Sequence, residues 1–141
     1  MIEWLVLGGT LAFTILYSVV EANHDYYVIK NDKGYNKTSR AWHKWGWFQN
    51  ALAFVPLTVG LFAYDWRLAI PLTIANGVLF WQLHDSILGY KLKKGIFHLG
   101  KGKVDSTLDS IFNGGKQLAA VRSLFIGTSI FDAIRVIKWD L

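Results

Sequence analysis

The chain is 141 residues long, one domain's worth, yet 52% of it is hydrophobic and 16% aromatic with a mean hydropathy of +0.27, a balance foreign to ordinary soluble domains. It contains no cysteine, which excludes disulfides, zinc–thiolate sites, thiol nucleophiles and dithiol redox chemistry. The net charge of +5 comes from basic residues that flank apolar runs, so anionic lipid headgroups rather than nucleic acid are the expected partners.

The apolar residues are gathered into runs. The start "MIEW" carries an acid where a secretory signal carries basic residues, and no small-residue cleavage site follows, so the first run is read as retained. Residues 4–20 are charge-free. As a helix rising about 1.5 Å per residue they cover roughly 26 Å, near the thickness of a bilayer's hydrocarbon core. The first span is placed at about 4–22. A second, 44–64, contains Pro56, which neighbouring helices in a membrane can absorb. Only "DWR" separates it from a third, 68–86, so the two form an antiparallel hairpin with a very short turn. A fourth segment, 118–138, is interrupted by Arg122, Asp132, Arg135 and Lys138. It is expected to span, with Asp132 and Arg135 pairing three residues apart and Arg122 and Lys138 snorkelling to the headgroups. Between the third and fourth spans, Asp105 caps a short interfacial helix over 106–112 that "NGG" closes. The expected fold is therefore all-α: one membrane domain over 1–141, a bundle of four transmembrane helices with loops at 23–43 and 87–117.

Charge and tryptophan placement orient this bundle. The joining segments with their flanks, 21–44 and 84–117, hold eleven of the fifteen basic residues, which places both in the cytoplasm and both termini outside, as in a bacterial-type inner membrane. Trp4, Trp66 and Trp139 then mark the outer interface and Trp42, Trp45, Trp47 and Trp81 the inner one.

The same topology gathers chemistry at one level. Glu21, His24 and Asp25 share a helix face at the end of the first span, His43 stands at the start of the second, and His84 and Asp85 end the third. His98, Asp105 and Asp109 follow. Imidazoles and carboxylates are the usual ligands of zinc, iron or manganese, and a site built from several helices needs no local motif. The expected metal ligands are drawn from Glu21, Asp25, His43, His84 and Asp105, with His84, Asp85 and Asp109 as catalytic acid–base groups. Such a metal at headgroup depth suits hydrolysis or transfer at a lipid or lipid-linked phosphodiester or ester. The competing expectation is a non-catalytic membrane component, an assembly, holin-like or partner-docking protein, and a homo-oligomer is compatible with either.

Several chemistries are excluded by pattern. H-x-x-x-H, H-x-x-H-H and H-E-x-x-H are absent, and "GKGK" lacks the spacing of a phosphate loop. "DSTLD" shares only Asp-x-x-x-Asp with the CDP-alcohol phosphotransferases. The segments "VVEANHDYY", "AWHKWGWFQNAL", "FWQLHDSILGY" and "VDSTLDS" together resemble a loose group of small polytopic membrane proteins of bacteria and their phages. That resemblance singles out Glu21, His43, His84, Asp85 and Asp105 and implies no particular reaction. Gln49 and Asn50 stand where a basic residue is expected, so no phosphate-binding role carries over to them.

Overall fold

The computed structural model describes residues 1–31, 35–97, 107, 110–112 and 114–139, and the side chains of all of these except 31, 35–45 and 47. Four long helices account for most of them: α1 (Ile2–Asn31), α2 (Tyr35–Tyr64), α3 (Trp66–Lys91) and α4 (Gly115–Trp139). Among the described residues there is no strand, so the all-helical expectation holds. Residues 107 and 110–112 are helical, within the expected short helix, whose cap Asp105 lies outside the described residues.

The helices outrun the apolar segments that announced them. α1 continues to Asn31 and α2 already begins at Tyr35, so most of the segment expected as a loop over 23–43 is helix. Alternating polar and aromatic residues do not break a helix, because the backbone bonds are satisfied internally whatever the side chains face. Asp65 ends α2 and starts α3: its extended backbone (φ −157°, ψ 113°) and its carboxylate, accepting the Arg67 N–H, cap α3.

α3 is the central helix, packed most extensively on α4 and α1 and less on α2. An apolar cluster of Leu7, Leu61, Leu68, Ala69, Leu72, Ala133 and Ile137 joins the start of α1, the end of α2, the start of α3 and the end of α4. The helices therefore alternate in direction, and Tyr64 donating to Glu3 at 3.0 Å closes the same end. At mid-height Phe13, Tyr17, Phe54 and Phe80 stack edge and face between α1, α2 and α3, and Tyr17 donates to Asn50 at 3.1 Å.

Beside the leucines of that cluster, many of the buried residues are small or polar, while large apolar side chains are exposed. Ala22, Ala69, Ala75, Ala119 and Ala133 are buried beside Thr10, Thr14, Ser18, Asn76 and Ser129, which lets helix backbones approach closely. Thr14 donates to Asn76 at 2.9 Å across α1 and α3. Leu5, Leu16, Val20, Leu52, Val55, Val59, Ile70, Ile74, Leu124, Phe125 and Phe131 are exposed on all four helices. Among the described residues one helix, Ile2–Lys30, is long and apolar enough by itself to cross a membrane, with about a third of its most apolar stretch buried; Phe48–Tyr64 is apolar but shorter. α3 and α4 are diluted by the polar residues they turn inward, among them Asn76, His84, Asp85 and Arg122.

Candidate metal and proton site

Opposite the apolar cluster, the end of α1, the end of α3 and the start of α4 carry ionisable side chains toward one another. Helical spacing explains α1: positions 21 and 25 lie one turn apart on the face that Thr14 and Ser18 also occupy, so Glu21 and Asp25 are both buried, 8% exposed each. Asp25 divides its two oxygens. Oδ2 lies 2.9 Å from His84 Nε2 on α3, and Oδ1 lies 3.3 Å from His24 Nδ1 on its own helix. His84 Nδ1 faces Asp85 Oδ1 at 3.6 Å, and Asp85 Oδ2 accepts from Arg122 Nη1 on α4 at 2.9 Å. The result is a chain of carboxylate, imidazole, carboxylate and guanidinium that crosses three helices. The Phe80 ring, part of the aromatic layer, lies against His84, 5.7 Å between centroids, and so borders the network on that side.

Glu21, His24 and Asp25 each present a ligand atom, all within 4.8 Å of one another, and this group could hold a metal ion. Its donors, one imidazole nitrogen and two carboxylate oxygens, are of the type zinc, iron and manganese accept. Glu21 and Asp25 are buried and His24 is half-exposed, so the group opens toward the surface on one side. Glu21 has no hydrogen-bond or ion-pair partner among the described residues, which leaves its carboxylate available to a ligand.

Of the residues expected at the site, Glu21, Asp25, His84 and Asp85 converge. His84 stands as a hydrogen-bond partner of Asp25, outside the group of three mutually close ligand atoms. The side chain of His43, together with Asp105, Asp109 and His98, lies outside the described residues. Two participants were not in the expected set. His24 completes the close group, a place its spacing to Glu21 and Asp25 already allowed. Arg122 does not snorkel to the surface: it is 6% exposed, bonded to Asp85 and laid over the Trp81 ring at 4.2 Å. Trp81, expected at the inner interface, thus packs on a buried guanidinium. Asp132 and Arg135, expected to pair, are both exposed and make no ion pair with each other; water satisfies each more cheaply than a constrained surface contact does.

The chain matches no family model, no curated protein and no solved structure.

Proposed function

We propose that this chain is a multi-pass membrane protein whose ionisable end, on the cytoplasmic side, binds a divalent metal ion and hydrolyses or transfers a lipid or lipid-linked phosphodiester or ester. The observation that carries the reading is the close group of Glu21, His24 and Asp25, joined through Asp25 to an imidazole that two carboxylates flank. The apolar side chains exposed on all four helices, around an interior in which alanine and hydroxyl residues accompany the leucines, support immersion of the whole bundle in lipid. Exposed Trp4, Trp66 and Trp139, at the ends of α1, α3 and α4 that meet by the Asp65 turn, support an interface there.

In this reading Glu21, His24 and Asp25 would hold the ion, which would supply Lewis-acid polarisation of a phosphoryl or acyl oxygen. His84 fixes the Asp25 carboxylate, as the outer partners of metal ligands do, and is placed to take or return a proton between Asp25 and Asp85. Arg122 holds Asp85 in place. His43, Asp105 and Asp109 remain the further ligand and general-base candidates of this proposal.

Elemental analysis of the detergent-purified protein tests it. We expect about one zinc, iron or manganese ion per chain, lost in Glu21→Gln and His24→Ala, and bound roughly 10- to 100-fold more weakly in His84→Ala, the usual effect of removing an outer partner. Wild-type protein that stays metal-free after incubation with each of the three ions ends the metal reading. The crossing of three helices by the Asp25–His84–Asp85–Arg122 chain favours a second reading, a structural clasp in a non-catalytic membrane component. Metal-free protein that loses stability in His84→Ala supports that alternative.

A further inference from the structure

The geometry points to Arg122 as a binding residue for a phosphate-type oxyanion, taken through its Nε–H and Nη2–H edge. This deepens the lipid-substrate reading by naming the headgroup chemistry and the residue that meets it. The two sources of such an oxyanion are a phospholipid headgroup and free phosphate.

Arg122 is 6% exposed, and only Nη1 is used, toward Asp85 at 2.9 Å. Nε and Nη2 are both buried and both without a hydrogen-bond partner among the described residues. These two atoms form one side of the guanidinium, where their N–H bonds run parallel and match two oxygens of a phosphate or carboxylate. The chain shows the same edge occupied elsewhere: Arg67 donates from Nε to Asp65 Oδ1 at 3.2 Å and from Nη2 to Asp65 Oδ2 at 3.1 Å. A buried charged donor pair left unmade is costly, and an oxyanion bound there would remove that cost. Asp85 occupies a different edge, so it orients the guanidinium without blocking the fork. Trp81 covers one face of the guanidinium at 4.2 Å and is itself 38% exposed, so a ligand reaching the fork would pass beside its indole. The N-terminal turn of α4, with Lys116, stands two turns before Arg122 and adds positive potential at the same end. Phosphate is preferred to carboxylate as the ligand because this end of the bundle is where headgroups would lie.

The test is isothermal titration of the full chain in detergent with dihexanoylphosphatidylglycerol, with inorganic phosphate and with dihexanoylglycerol, which lacks phosphorus. Arg122→Lys keeps the charge facing Asp85 but loses the fork. It is expected to weaken binding roughly 10-fold or more, the equivalent of one charge-assisted hydrogen bond. Replacing the exposed Lys93 and Lys94 by Gln should leave that affinity unchanged. Arg122-dependent binding of the phospholipid supports a headgroup site, and Arg122-dependent binding of inorganic phosphate alone supports a soluble source. Equal affinity in Arg122→Lys, no binding of either phosphate compound, or dihexanoylglycerol binding as well as the phospholipid overturns the proposal. If Arg122→Lys does not fold, the Arg122 Nε–H resonance of the wild type is followed instead: a shift on adding phospholipid or phosphate supports the site, and an unmoved resonance refutes it. Metal content measured on the same samples separates the two readings. Arg122-dependent binding by metal-free protein leaves this one standing while the metal reading falls, and metal-loaded protein without such binding does the reverse.

Discussion

Asp85 is the only described carboxylate bonded to a guanidinium that is 6% exposed, and truncating it to Ala strands that charge inside the bundle. A buried charge stripped of its partner costs about 3 kcal/mol or more, far beyond the value of a surface pair. Asp85→Ala is therefore expected to destabilise the protein by about 3 kcal/mol. Asp85→Leu combined with Arg122→Met should recover most of that loss, because the pair vanishes with both its attraction and its desolvation. Denaturant unfolding of the two single variants and the double variant in detergent measures the coupling, and strictly additive losses would refute a direct interaction. At this scale much of the site was legible. Glu21 and Asp25 are one helical turn apart, and His84 with Asp85 closes an uncharged run, so local spacing already aligned them. Arg122 was not legible, because near the end of an apolar segment an arginine defaults to the headgroups. Its partner is 37 residues away on another helix.

Two helix ends carry consequences for the elements. At the start of α3, hydrogen bonds from the Arg67 side chain and then from its backbone N–H hold the Asp65 carboxyl below its usual value of 3.8. A carboxyl depressed in the folded state adds stability above its unfolded value and forfeits it as pH falls through the folded one. Asp65→Ala should thus cost about 1 kcal/mol near neutrality, the ordinary worth of an N-cap. The difference from wild type should shrink as acid protonates Asp65, and thermal unfolding against pH reads it; a constant difference would mean that the carboxylate is not what caps the helix. At the end of α3, Lys94 N–H bonds Gly89 O at 2.9 Å and Lys93 N–H bonds Tyr90 O at 3.0 Å, while Lys93 adopts φ 56°. This is a Schellman ending with lysine where glycine is usual. Lys93→Gly should raise stability by about 1 kcal/mol by removing the left-handed strain, and an unchanged melting temperature would count against it. The sequence reading ended the third span at 86, five residues before α3 stops at Lys91. It could not show that Lys93 takes the strained position, which the bonds back to α3 impose.

For the whole molecule, the contrast behind the membrane proposal is between the polar and small residues that share the interior with a leucine cluster and the large apolar side chains exposed on all four helices. In the proposed membrane setting, lipid would make the outside neutral and leave close packing and internal hydrogen bonds to hold the helices together. The proposed crossing is checked by single cysteines introduced into this cysteine-free chain. A cysteine at Trp66 should react with a membrane-impermeant maleimide from outside the cell, and one at Lys94 only after the membrane is opened. Equal labelling at both positions in intact cells would rule out the alternating four-span topology.

Composition and the length of the apolar runs by themselves determined that the chain is helical, that a short turn over 65–67 divides the second run from the third, and that Glu21, Asp25, His84 and Asp85 fall at one level, because these depend on local periodicity and run length. Tertiary structure alone decided which of those groups touch. Asp25 meets His84 across α1 and α3, Asp85 takes Arg122 from α4, and Asp132 is left to solvent, since a polar group chooses its partner by what burial denies it and burial is a property of packed helices.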